Sequence, residues 1–116
     1  MNRSSKILTG VMISVALLLG AWLLVRNRQV DLGREAFRKY GCGDCHNNGG
    51  GPELSGVTSR YDRRFITAFI QDPADIYQQR QGRSLNPGRM QMPKMGVTEQ
   101  EAQAITKYLG TLHSSN

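Results

Sequence analysis

From Ile7 to Val25 the chain runs for 19 residues without a charge. At 1.5 Å per residue a helix over that stretch spans about 28 Å, close to the hydrocarbon thickness of a bilayer. Trp22 lies near one end, where an indole reaches the membrane interface. The pattern therefore predicts a transmembrane anchor over residues 1–26. A cleaved secretory signal is the competing reading, with Arg3 and Lys6 as its charged start. Signal cores are usually shorter, and no small-x-small site precedes Arg26, which favours a retained anchor.

Beyond Val25 the pattern changes. Residues 27–30 read as a short connector, and residues 31–116 as one small domain. Asp31 is placed to cap a helix from Leu32 to Tyr40, with Gly41 as its stop. A glycine-rich stretch follows to Gly56. Phe65, Ile66, Phe69 and Ile70 then repeat at helical spacing within Asp62–Gln71, and Pro73 lies just past the end. Residues 75–80 add a turn or two of helix, and residues 81–96 read as a loop with Gly82, Pro87, Gly88 and Pro93. Thr98 and Glu101 form a capping box, after which Ile105, Tyr108, Leu109 and Leu112 share one apolar face. No segment alternates with the period of a strand. The fold class expected is all-α.

Composition narrows the function. Of 116 residues, 15 are Lys or Arg and 9 are Asp or Glu, a formal charge of +6. Arg3, Lys6 and Arg26 flank the apolar run, leaving 12 basic and 9 acidic residues after it. There is no dense basic stripe with interleaved aromatics, so no nucleic-acid partner is expected. Charge does not orient the anchor, because Arg26 and Arg28 on one side balance Arg3 and Lys6 on the other. A domain this small buries a modest share of its surface, so a bulky apolar cofactor at its centre would help it fold.

The chemistry is concentrated in one pentapeptide, Cys42-Gly43-Asp44-Cys45-His46. Cys-x-x-Cys-His is the attachment motif of c-type haem. Two thiols one turn apart can add to two vinyl groups on one porphyrin edge, and the adjacent imidazole then projects over the iron. A zinc site needs about four ligands, and His113 is the only other histidine. A redox dithiol would need a strand–helix setting that the pattern lacks. For the other face of the iron, Met90, Met92 and Met95 offer three thioethers, one of which suffices. Met92 is favoured because Pro93 stiffens the backbone beside it. Met90 and Met95 remain alternatives, and His113 a more remote one.

Taken together these residues resemble the class I c-type cytochromes, over about residues 31–112. The Cys42–His46 motif is the specific element. Gly33-x-x-x-Phe37 is similar to that family's N-terminal helix, which crosses the C-terminal helix at a glycine. Gly51-Pro52-Glu53-Leu54 is similar to its Gly-Pro-x-Leu, and Met92-Pro93 to the Met-Pro of many bacterial members. The resemblance implies three to four helices around one covalent haem c, with His46 and Met92 as iron ligands. It implies that the Pro52 carbonyl accepts the proton of His46, and that Arg60 contacts a haem propionate.

The function so implied is one-electron transfer rather than catalysis, since a six-coordinate iron has no open position. Expected partners are the lipid bilayer and a membrane-bound redox complex, such as a respiratory complex, or other cytochromes. A haem-based small-ligand sensor and a structural subunit of a respiratory complex are the alternatives. Haem attachment in this family takes place outside the cytoplasm, which puts the domain on the external, periplasmic face of a bacterial inner membrane. No Arg- and Ser-rich transit sequence argues for an organelle. The short connector, at most about 17 Å when extended, keeps the domain close to the lipid.

Overall fold

The computed structural model describes residues 2–46, 51–81 and 92–113. Among them are six helices and no strands: α1 (Arg3–Lys39), α2 (Cys42–His46), α3 (Val57–Arg60), α4 (Arg63–Gln71), α5 (Pro73–Gln81) and α6 (Glu99–Leu109). The fold is all-α, with one long apolar N-terminal helix leading into a compact helical unit.

Helix α1 runs unbroken for 37 residues. The connector expected at 27–30 is therefore helical, and Asp31 lies inside the helix rather than at its start. The physical reason is local. No Gly or Pro interrupts Ala21–Leu32, so nothing stops propagation once a helix is under way. Two contacts along the helix reinforce the segment: the Arg26 guanidinium sits 5.6 Å from the centre of the Trp22 ring, and Arg34 pairs with Asp31 at 3.1 Å. The first two-thirds of α1 is free of tertiary contact, with Leu18 71% exposed. This is the only helix among the described residues long and apolar enough to cross a membrane. Its far end stops at Gly41, whose φ of 65° belongs to the left-handed region where a Cβ is unfavourable.

The compact unit is organised by α6 crossing α1 at Gly33. A Cβ there would overlap the Ala104 carbonyl, so only glycine permits the approach. Phe37 meets Tyr108 edge-to-face at 5.4 Å beside the crossing. Ala36, Phe37, Ile66, Ile70, Val97, Ala102, Ile105 and Leu109 fill the core. The N-terminus of α6 carries the expected capping box, and Glu101 does more than cap. Its carboxylate also accepts from Lys39 Nζ at 2.8 Å and from the Tyr40 hydroxyl at 2.6 Å, tying α6 to the end of α1. Those donors hold the Glu101 carboxyl down at about 2, with the Lys39 bond the largest cause.

Helix α4 packs on α6, where the hydroxyls of Thr67 and Thr106 meet at 2.8 Å. Asp62 caps α4 by accepting from the Arg64 amide. Helix α5 starts at Pro73, the first-turn position where a missing N–H costs nothing. Asp72, ahead of it, accepts from the Asp75 amide and pairs with Lys94 at 3.1 Å. Of the loop expected at 81–96, Gln81 ends α5 and 92–96 carry no regular secondary structure, with Gly96 at a left-handed φ of 72°, while residues 82–91 lie outside the described residues.

Candidate functional site

The end of α1 turns at Gly41 into α2, a single helical turn that the glycine-rich sequence did not suggest. It places Cys42, Cys45 and His46 along one short element. Cys42 is buried and Cys45 exposed, and neither forms a disulfide. Burial pushes the Cys42 thiol above its usual range, which keeps it protonated at neutral pH.

After the motif the chain returns over His46. The Gly51 amide donates to the Cys45 carbonyl at 2.8 Å. That closure brings the Pro52 carbonyl to 2.9 Å from His46 Nδ1. A carbonyl can only accept, so Nδ1 carries the proton and the Nε2 lone pair is left for a metal. The return needs a glycine: a Cβ at Gly51 would lie 2.8 Å from the Cys45 carbonyl oxygen and 3.3 Å from His46 Nδ1.

His46 opens onto an apolar cleft of about 300 Å³. Phe37 of α1, Ile66 and Ile70 of α4, and Ile105 and Leu109 of α6 form its inner wall. Tyr61, Phe65 and Phe69 form an aromatic row along another side, with successive ring centres 5.4 and 5.9 Å apart. Tyr77 of α5, Met92, Cys42 and Pro52 also line it.

The structure brings together some of the residues singled out from sequence and not others; Cys45, exposed on α2, is not among the residues lining the cleft. Cys42, His46, Pro52 and Met92 all border the one cleft. Met95 packs instead against the buried core, and His113 is exposed beyond the end of α6. Met90 lies outside the described residues. Arg60 is exposed, and its guanidinium donates to the carbonyls of Glu53 at 2.9 Å and Ser55 at 3.2 Å. It thereby clasps the loop that carries Pro52. Sequence reasoning named Gly51 only as part of the Gly-Pro-x-Leu resemblance, without its steric role in the return over His46, and did not name Tyr61 and Tyr77 as wall residues.

The donor set suits a porphyrin better than a bare ion. Among the described residues no three His, Cys, Asp or Glu side chains converge on a common point, so a zinc cage is not formed. One imidazole with a fixed tautomer, one thioether and an apolar cleft, with the Cys42 thiol on its lining and the Cys45 thiol exposed one turn away, match the needs of a covalent haem. Residues 30–113 match the cytochrome c family. The chain belongs to that family, whose members are haem-based electron carriers. No curated protein and no solved structure matches it.

Proposed function

We propose that this protein is a membrane-anchored electron carrier with one haem c, linked through Cys42 and Cys45 and ligated by His46 and Met92. The bond from His46 Nδ1 to the Pro52 carbonyl, at 2.9 Å on the rim of a cleft that Met92 also lines, is the observation that carries the reading. The bound haem supplies a one-electron couple at its iron. The chain's own residues do the rest. Pro52 orients the imidazole and raises its basicity. The apolar walls exclude water, and the thioether of Met92 favours the reduced state. Arg60 sets the loop around Pro52 and offers positive charge to a propionate.

Helix α1 anchors the protein in a bilayer through Ile7–Val25, with the haem domain on the external face of a bacterial inner membrane. The partner is a redox protein of the same membrane, such as a respiratory complex. The near-infrared band that a methionine gives on oxidised haem iron tests the ligand pair. Met92→Leu should abolish it, whereas Met90→Leu and Met95→Leu should leave it in place. Loss of the band in either of the latter variants, with retention in Met92→Leu, would move the ligand along the chain. Carbon monoxide binding to the reduced, unaltered protein would point to a ligand sensor instead.

A further inference from the structure

A tethered carrier normally needs a joint, because its haem must reach the donor and then the acceptor. This chain has none among its described residues. Helix α1 passes through the membrane edge expected at Val25 and becomes the first helix of the haem domain without a break. The molecule is accordingly long and narrow, 76 × 30 × 28 Å.

Three observations make the continuity stiff. The stretch Ala21–Leu32 contains neither Gly nor Pro. The Trp22–Arg26 and Asp31–Arg34 contacts brace it along its length. Gln29 and Val30 are already half-buried, so the domain's packing starts four residues beyond Val25. A chain free to bend would need unpacked residues between lipid and domain, and almost none are available.

The helix also fixes a direction. At 3.6 residues per turn, Trp22, Arg26, Gly33 and Phe37 fall on one face of α1. Gly33 and Phe37 are the positions that meet α6 and the cleft. Trp22 and Arg26 are the residue types that set the rotation of a helix at a membrane interface. The anchor's facing in the bilayer is thus coupled to the facing of the cleft. The height is coupled too: twelve residues separate Val25 from Phe37 on the cleft wall, which is about 18 Å of helix.

We infer that α1 is a jointless mast that holds the cleft at one height and one facing above the bilayer. The partner it fits is an integral membrane redox protein whose own electron port stands at that height, met by lateral diffusion or within a fixed complex. This rests on the electron-carrier and anchor readings above, and goes beyond them in excluding a swinging or shuttling domain.

The experiment uses the full-length protein carrying its haem, in bilayer nanodiscs and in washed native membranes. Hydrogen exchange in nanodiscs reads the mast directly. The amides of residues 26–32 should be protected as strongly as those of 33–38. Exchange at free-peptide rates across 26–32 would overturn the inference. Insertion of two alanines after Arg28 keeps the helix but turns the domain by about 200° and lifts it by about 3 Å. In washed membranes supplied with succinate or NADH, re-reduction of the variant's haem should slow at least tenfold. An unchanged rate would overturn the inference. Ferricyanide, a small soluble oxidant that needs no docking, should oxidise variant and parent at equal rates. A parent protein that exchanged no electrons even with ferricyanide would instead defeat the electron-carrier reading, and the exchange pattern of 26–32 would still decide the mast.

Discussion

Gly33 presses its backbone against the carbonyl of Ala104, and this contact sets the distance between α1 and α6. A Cβ added at Gly33 would overlap that carbonyl and come within 2.9 Å of the Tyr108 Cβ. Neither neighbour can move without opening the helix crossing. Gly33→Ala gains helix propensity of about 1 kcal/mol, but overpacking in a tight contact costs about 1–3 kcal/mol or more. The net expectation is a destabilised domain, seen as a melting temperature lowered by several degrees in the soluble part. An unchanged or raised melting temperature would show that the crossing can relax.

Glu101 makes the stability depend on acid. Its carboxyl titrates at about 2 in the folded chain, against 4.5 for the free group. A depressed carboxyl stabilises the fold above its unfolded value and loses that contribution as pH falls from about 4.5 towards 2. Lys39, its partner, is shifted upward chiefly by the same bond, so its contribution holds at neutral pH and fades above its ordinary value of 10.5. Glu101→Gln should therefore lower stability at pH 7 and flatten the acid limb of the stability curve. Denaturant titrations at pH 3, 5 and 7 measure both effects. Parallel curves for the two proteins would mean that the cluster is electrostatically silent.

Gly51 gives a redox prediction. In the proposed haem site, the Nδ1 bond to Pro52 would push electron density onto the His46 ring and so stabilise oxidised iron. In Gly51→Ala the new Cβ must displace the Cys45 carbonyl or the loop itself, which stretches that bond. The potential should rise relative to the parent in an equilibrium redox titration. A fall, or no change, would uncouple this loop from the iron.

Arg60 tests the electrostatics from the other side. Arg60→Leu removes a positive charge and two hydrogen bonds to the Glu53 and Ser55 carbonyls. If Arg60 faces a propionate as proposed, its loss favours oxidised iron, and the potential should fall. Loop stability should drop by about 1 kcal/mol, since the freed carbonyls can turn to water. A loss of stability with no change of potential would confine Arg60 to its structural bonds.

Much of the fold was legible because its helices carry local punctuation. Thr98 with Glu101, Asp62, Pro73 and Gly41 each mark a boundary within a few residues of where it falls. The segment 27–30 misled for the same reason. Its polar residues and Asp31 read as a break and a cap, yet polar residues are equally at home on a helix that has left the lipid. Only the absence of Gly and Pro argued for continuity. The attachment motif was legible because it is contiguous. The cleft was not, because Tyr61, Phe65, Phe69, Tyr77 and Met92 come together only through tertiary packing. The Tyr40–Glu101 bond joins residues 61 apart, beyond any local pattern.

The covalent link is the centre of the account, and intact-mass spectrometry of the chain purified from washed membranes tests it most directly. The full-length polypeptide should carry the added mass of one haem after denaturation, and the Cys42→Ala, Cys45→Ala double variant should lack it. A parent chain at its bare polypeptide mass, with both thiols free to alkylate, would contradict the account.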